Sequence, residues 1–219
     1  MNLDELKPAW NELERRVIAQ QTVIDELLLK QTSRDVQKSI KPLMFGQIAQ
    51  IVIGVALAGL GAQFWIPRTG ISLFLVSGLI THLYGVALII NGIRVLRKVL
   101  AVDFSSPVLV VQKGIAEIES TYVTSGWVLG LPWWLLWIPI SIVVLTFAGI
   151  DLLRVEPSAW LIPNIVIGVL GMVATVFGYR YLRSTANPEI QSRLDRMVAG
   201  ASIQEAKARL ADFEQFERE

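Results

Sequence analysis

Cysteine is absent from the 219-residue sequence, and histidine occurs once, as His82. The lack of thiols excludes thiolate metal sites, iron–sulfur clusters, disulfide bonds and cysteine nucleophiles. A single histidine cannot form a haem or zinc site unless carboxylates or a second subunit complete it. The motifs of phosphate-binding loops, zinc proteases, serine hydrolases, kinases and dinucleotide-binding folds are also missing. We therefore predict that the protein is not an enzyme and has no catalytic residues, no metal site and no cofactor.

Charge is scarce along most of the chain. Charged residues make up 18% of the sequence and hydrophobic residues 53%, whereas soluble domains average about 25% and about 45–50%. Four stretches of more than 18 residues carry almost no charge: 43–66, 71–93, 127–150 and 159–179. As helices, all four would cross about 30 Å of hydrocarbon. The sequence thus predicts an all-α polytopic protein with four transmembrane helices in the lipid bilayer, in two hairpins over 43–98 and 126–183.

The positive charges are distributed unevenly about these predicted spans. Eighteen of the 20 Lys and Arg residues lie in the amino-terminal segment, in the connector between the second and third spans, or in the carboxy-terminal segment. Because Lys and Arg near span ends accumulate on the cytoplasmic side, both termini and the connector are predicted to be cytoplasmic. The net charge of +1 gives no support for a nucleic-acid partner.

The amino-terminal segment, 1–42, has the pattern of an amphipathic, coiled-coil helix. Apolar residues recur at alternating steps of three and four residues, and one position of this series is polar, Gln20. We call the apolar residues of the series the N-terminal stripe: Leu3, Leu6, Trp10, Leu13, Val17, Ile24 and Leu27. This 3.5-residue period favours contact between helices. The alternative is a helix that lies flat on the membrane, with Trp10 among the headgroups.

An exposed apolar stripe of this length would be sticky on a monomer. We therefore expect the connector helix, the carboxy-terminal helix, another subunit or a foreign partner to cover it. The candidate interaction residues are Leu6, Trp10, Leu13, Val17 and Ile24.

Two further segments outside the spans also predict amphipathic helices. In the connector, 99–125, Ser106 is a helix cap and Pro107 a first helical residue, and the apolar face comprises Val108, Val111, Ile115, Ile118 and Tyr122. The carboxy-terminal segment, 184–219, predicts a helix that begins at Asn187–Pro188 and, after Gly200, a second short helix whose apolar face comprises Ile203, Leu210 and Phe213. We expect these helices and the amino-terminal helix to form one small cytoplasmic layer on the four-span bundle.

Two polar residues of the second predicted span are candidate intramembrane sites: His82 near its middle and Asn91 near its cytoplasmic end. Polar side chains at membrane depth are costly to bury and often serve function. The alternative for His82 is structural, a neutral imidazole that hydrogen-bonds a neighbouring helix. A proton relay would need an acidic partner, and no span core contains one.

Small residues at four-residue steps predict close helix packing in lipid. They are Gly46, Gly54, Ala58 and Ala62 in the first span, with Gln50 between the two glycines, Ser77, Thr81 and Gly85 in the second, and Gly171, Thr175 and, one position off the step, Gly178 in the fourth. In the third span, Pro132 and Pro139 are expected to bend the helix, and the tryptophans over 127–137 to anchor it at headgroup level. Helices that slide during transport and a tryptophan cage around a ligand are the alternatives.

Two short motifs carry a resemblance to a known group of proteins. The sequence LDELKPAWNELERRV at 3–17, together with DFSSPVLVVQKGI at 103–115, resembles bacterial inner-membrane proteins of unknown function. Members of that group are often neighbours of genes for extracytoplasmic-function sigma factors. The resemblance implies a bacterial inner-membrane location and a regulatory role.

Two functions are compatible with these patterns. The first is a membrane-anchored interaction or regulatory protein that presents cytoplasmic helices to copies of itself, as a homo-oligomer, or to a cytoplasmic regulatory protein. The second is a small transporter or channel subunit, favoured by His82, the glycine-rich spans and the prolines of the third span. A membrane enzyme would rest on His82 alone.

The predicted sidedness can be tested by cysteine labelling in intact cells, because the chain has no cysteine of its own. A cysteine at Thr69 should react with a membrane-impermeant reagent, whereas cysteines at Ser105 and Thr185 should react only after lysis. Labelling of position 105 from outside would overturn the four-span topology.

Overall fold

A computed structural model describes residues 3–67, 71–104, 106, 108–150, 157–185 and 200–218. Six helices account for most of these residues: α1 (Leu3–Trp65), α2 (Leu73–Ala101), α3 (Val108–Gly130), α4 (Trp133–Phe147), α5 (Pro157–Thr185) and α6 (Ala201–Arg218). No strand occurs within the described ranges. The prediction of an all-α protein is confirmed at this level.

Helix α1 is the longest element and joins two segments that the sequence treats separately. It runs unbroken for 63 residues, which at about 1.5 Å per residue amounts to about 95 Å. Its part from Ser33 to Trp65 is long and apolar enough to cross a membrane. We call the preceding part of α1, residues 3–32, the arm. Because arm and candidate span are one helix, the direction of the span fixes the direction of the arm.

Three helices contain single candidate membrane spans, namely Ser33–Trp65 of α1, Leu73–Ala101 of α2 and Ser158–Thr185 of α5. A fourth is present only if α3 and α4 are counted as one span, since they meet at an angle of 59°. The predicted third span is therefore not a single helix: its first residues continue the connector helix as α3.

The break between α3 and α4 has a local cause. Pro132 is the N-cap of α4 and accepts hydrogen bonds from Leu135 and Leu136 through its carbonyl. Proline has no N–H to donate and disfavours helical backbone in the preceding residue, so α3 ends just before it. Pro139 lies inside α4 and does not end it.

Helices α1 and α2 form a tightly packed hairpin whose backbones touch at glycines. A Cβ atom at Gly61 would lie 2.5 Å from the backbone nitrogen of His82, and one at Gly85 would lie 2.5 Å from the backbone nitrogen of Ala58. Ser77 and Thr81 are buried in the same contact. Gly46, by contrast, faces open space. The contact therefore follows Gly54, Ala58 and Gly61 rather than the whole predicted ridge.

A cluster of buried apolar residues, which we call the layer, joins four helices at one end of this hairpin. Its buried residues are Val36, Ile40 and Leu43 of α1, Val95 and Val99 of α2, Val111, Ile115 and Ile118 of α3, and Ile203, Ala206 and Leu210 of α6. Between α3 and α6, Glu119 accepts hydrogen bonds from Gln204, at 3.2 Å, and from Lys207. The apolar faces of the connector and carboxy-terminal helices thus bury each other against α1 and α2.

Helix α5 packs mainly on α4, and Trp134 makes one of the contacts. The ring of Trp134 lies against Gly171, and its Nε1–H donates to the hydroxyl of Thr175 at 3.1 Å. The remaining sides of α5 are largely exposed and apolar, as expected for a helix that faces lipid.

The glycine contact predicts opposite effects for two nearby alanine substitutions in α1. Gly61→Ala should lower the free energy of unfolding by about 1–3 kcal/mol, because the new methyl group would overlap the α2 backbone. Gly59→Ala is the matched control: nothing lies within 4 Å of its Cβ position, so the higher helix propensity of alanine should raise stability by up to about 1 kcal/mol. Unfolding of the detergent-solubilised protein measures both. Equal effects at the two positions would contradict this packing.

Candidate interaction surface and the polar residues of the spans

The N-terminal stripe is exposed along the arm. The exposed fractions are 69% for Trp10, 55% for Leu13, 47% for Val17 and 60% for Leu27. The side chains of Leu3, Leu6 and Ile24 lie outside the described part of the molecule. Exposure of several large apolar side chains along one helix typically marks an interaction site.

The layer does not cover the described part of this stripe, because it packs farther along α1, on Val36, Ile40 and Leu43. Nine positions separate Leu27, the last stripe residue, from Val36, the first buried residue of the layer. At about 100° per residue, nine positions amount to two and a half turns, so the two side chains leave the helix on opposite sides. Among the described side chains, the connector helix and the carboxy-terminal helix pack on Val36, Ile40 and Leu43 of α1 and not on the stripe.

The surroundings of the stripe distinguish it from a surface that faces lipid. Arg16 forms a salt bridge with Glu12 at 3.0 Å on the exposed surface of the arm, and Glu14 and Arg15 are exposed beside it. The exposed apolar residues of the candidate spans, such as Val52 and Ile53, have no charged neighbours in sequence. Charged groups are costly to place in hydrocarbon, and the arm differs in this respect from the candidate spans.

His82 contacts α1 through both its backbone and its ring. Its Nδ1–H donates a hydrogen bond of 2.8 Å to the carbonyl oxygen of Ala58, because a carbonyl oxygen can only accept. The ring lies edge-on to Trp65, with centroids 5.8 Å apart. These contacts give the imidazole a packing role between α1 and α2.

Asn91 lies on α2 at the edge of a cavity of about 340 Å³. The same cavity contains Gln47, whose side chain is only 4% exposed and whose Oε1 has no hydrogen-bond partner. In the sequence, Gln47 is one of several polar residues scattered over the predicted spans. The spacing of Gln47 and Gln50 within one helical turn is the only local signal that could have indicated a shared site.

The tryptophans over 127–137 make specific contacts within the protein. Trp127 packs against Tyr179 with ring centroids 4.6 Å apart, and Trp137 packs against Trp160 at 6.1 Å. These rings join α3 and α4 to α5. Among the described residues, no group of three metal-ligating side chains occurs.

Two substitutions at His82 separate a packing role from a chemical one. His82→Gln retains an N–H donor for the Ala58 carbonyl and should leave assembly and stability nearly unchanged. His82→Leu removes the donor and should cost about 0.6–2 kcal/mol of unfolding free energy. Unfolding and size-exclusion measurements in detergent test both. If His82→Gln instead folds and assembles normally but abolishes cellular function, a transport or cofactor role would replace the packing role.

Comparison of the chain with family models, with curated proteins and with solved structures found no match.

Proposed function

We propose that the protein is a membrane-anchored interaction protein, with regulatory function, whose arm pairs with the arm of a second copy. The observation that carries this proposal is the exposure of Trp10, Leu13, Val17 and Leu27, the described apolar side chains of the N-terminal stripe, while the layer packs on Val36 and Ile40 of the same helix. We place the arm and both termini in the cytoplasm, on the strength of the distribution of Lys and Arg.

The continuity of α1 supports a second copy as the partner. Copies of one protein insert into a membrane in the same orientation, so their first spans run parallel. Because the arm and the candidate span form one helix, two neighbouring arms would leave the bilayer in the same direction. They are therefore oriented in advance for a parallel coiled coil, and pairing costs less rotational freedom than an encounter of free helices.

The residues of the stripe also fit a parallel coiled coil of two helices. With Leu3 at heptad position a, Val17 and Ile24 also occupy a positions, while Leu6, Leu13 and Leu27 occupy d positions. Val17 and Ile24 are the β-branched residues that, at a with leucine at d, favour a two-stranded parallel coiled coil, whereas Leu3 and Trp10 at a are not β-branched. Gln20 at d would fix the register at some cost in stability, as single polar residues in such seams do.

Charges beside the seam favour the parallel arrangement over the antiparallel one. In a parallel pair, Arg16 at position g faces Gln21 at position e of the partner helix. An antiparallel pair over the same stripe would place Glu14 opposite Glu14 and Arg16 opposite Arg16. Like charges in such positions are destabilising.

The proposal predicts that a charge in the seam separates the copies. Leu13→Asp should convert the oligomer to monomer in size-exclusion chromatography and chemical cross-linking, while membrane insertion is retained. Ala19→Asp is the matched control, since it introduces the same charge at an exposed position outside the stripe and should leave the oligomer intact. An oligomer that survives Leu13→Asp contradicts the second copy as partner, and loss of a foreign protein instead would identify that protein as the occupant.

Disulfide mapping tests the orientation of the same pairing. Because the chain lacks cysteine, Gln20→Cys introduces a single thiol. In a parallel pair the two thiols lie next to each other and should oxidise to a dimer, whereas in an antiparallel pair they would lie about 15 Å apart along the axis. Ala19→Cys, outside the seam, should give little dimer.

A further inference from the structure

The exposed side of α1 becomes basic where the helix approaches the apolar part of its candidate span. Beyond Leu27, the last residue of the N-terminal stripe, three basic side chains are exposed: Arg34, Lys38 and Lys41. They follow Leu27 by seven, eleven and fourteen positions. At about 100° per residue, all three leave the helix within about 40° of the direction of Leu27. We call these three residues the cationic face.

The rest of the described molecule leaves the cationic face exposed. The layer packs on Val36 and Ile40, which are buried on the other side of α1. Within the described ranges, the one ion pair of the cationic face joins Lys38 to Asp35 at 3.8 Å. Both partners are solvent-accessible, and water and salt weaken such a pair. Segment 34–41 contains three cations and one carboxylate, so it keeps a surplus of positive charge.

The cationic face lies beside the part of α1 that is suited to hydrocarbon. Phe45, one turn after Lys41 on the same side of the helix, is 75% exposed, and residues 42–65 carry no charge. At about 1.5 Å per residue, Lys41 and Lys38 lie about 6 and 10 Å from Phe45 along the axis. With 42–65 in hydrocarbon, these ammonium groups lie at the level of the lipid headgroups, which form a region about 5–8 Å thick.

The pairing proposed for the arm would bring two cationic faces together. In the heptad register of the stripe, Arg34 and Lys41 occupy d positions and Lys38 occupies an a position. Two parallel copies of α1 would therefore hold six positive charges in one seam. Like charges at this distance repel each other, and they oppose pairing unless anions lie between them.

The position of the cationic face favours one class of anion. Its three cations are spread over about 10 Å along an open side of the helix, an arrangement that fits several small anionic groups in a row. The bilayer itself holds the phosphates of lipids at this level, while their acyl chains lie beside Phe45. An anionic headgroup adds net negative charge there. A zwitterionic headgroup instead carries a positive group next to its phosphate, and the cations would repel it.

We infer that anionic phospholipid headgroups bind the cationic face and, by neutralising it, permit the arms of two copies to pair. The control of pairing rests on the function proposed above, whereas the binding of headgroups requires only one copy. Pairing then depends on the content of anionic lipid in the surrounding leaflet.

Two variants with the same loss of charge test this inference. The face variant carries three substitutions on α1: Arg34→Gln, Lys38→Gln and Lys41→Gln. The α2 variant is the matched control, because its three residues are also exposed and lie at the same end of the hairpin as the layer: Arg94→Gln, Arg97→Gln and Lys98→Gln.

Headgroup binding is measured on the full-length protein in phosphatidylcholine vesicles that contain some phosphatidylglycerol. Gly46→Cys places a single thiol beside Phe45, where nothing lies within 4 Å, and a fluorophore on it reports quenching by nitroxide-labelled lipids. Labelled phosphatidylglycerol should be enriched about fivefold or more over labelled phosphatidylcholine, the effect of at least one basic residue near an anionic surface. The face variant should lose this preference and the α2 variant should keep it. Equal quenching by both lipids in the wild type, or the same loss in both variants, would overturn the binding.

The control of pairing is measured by the disulfide yield of Gln20→Cys at one ionic strength. Phosphatidylglycerol should raise the yield about fivefold over pure phosphatidylcholine. The face variant should pair well in both lipids, because the repulsion is gone, and the α2 variant should keep the dependence on lipid.

Two failures of this measurement have different meanings. A wild-type dimer whose yield does not change with phosphatidylglycerol overturns the control by lipid and leaves the pairing of the arms intact. The absence of a dimer in every lipid and variant contradicts the second copy as partner, and the quenching measurement then decides on the headgroups alone.

Inorganic phosphate distinguishes a lipid from a soluble anion. Added to pure phosphatidylcholine vesicles, it should raise the disulfide yield no more than sodium chloride of equal ionic strength. An increase specific to phosphate would overturn the assignment to a lipid.

Discussion

The close contact between the backbones of α1 and α2 is the constraint on which the rest of the structure depends. Where Gly61 meets His82 and Gly85 meets Ala58, no side chain separates the two helices. Their interface holds small polar side chains, among them Ser77 and Thr81, and the hydrogen bond from His82 to the Ala58 carbonyl. In lipid, where helix association depends on packing and hydrogen bonds rather than on exclusion of water, such a contact fixes the relative position of the two helices.

This hairpin supports both ends of the molecule. At one end, Val95 and Val99 of α2 and Ile40 of α1 provide the surface on which α3 and α6 pack. Beyond that layer, α1 continues as the arm, and its direction follows from the hairpin because the helix has no break. Between the layer and the glycine contact, Gln47 and Asn91 line a cavity that α3 also borders. The arm and the cavity are therefore both positioned by one helix pair.

Much of this architecture could be predicted from local sequence. The apolar stretches around 43–66, 71–93 and 159–179 were sufficient to identify three candidate spans, because hydropathy over about 20 residues reflects the thickness of a bilayer. The apolar faces at Val111, Ile115 and Ile118 and at Ile203 and Leu210 follow helical periodicity, and these residues are buried in the layer. The prediction of the third span was less accurate, because the helix breaks before Pro132 and the predicted span is divided between α3 and α4. The prolines indicated a bend, but its size depends on how α4 packs on α2 and α5.

The sequence by itself determined the helices, their apolar faces and the heptad pattern of the N-terminal stripe, because each depends on residues within a few turns of one another. Only the tertiary structure decided which side of α1 is buried: α3 and α6 pack on Val36 and Ile40, and Leu27 points away from them. Likewise, Gln47, Asn91 and Ser125 are far apart in sequence, and they share a cavity because the glycine contact sets how α1 and α2 align. The local sequence shows which face of each helix is apolar and which is polar. It does not show which other helix packs on an apolar face, because this depends on the packing of side chains from distant parts of the chain.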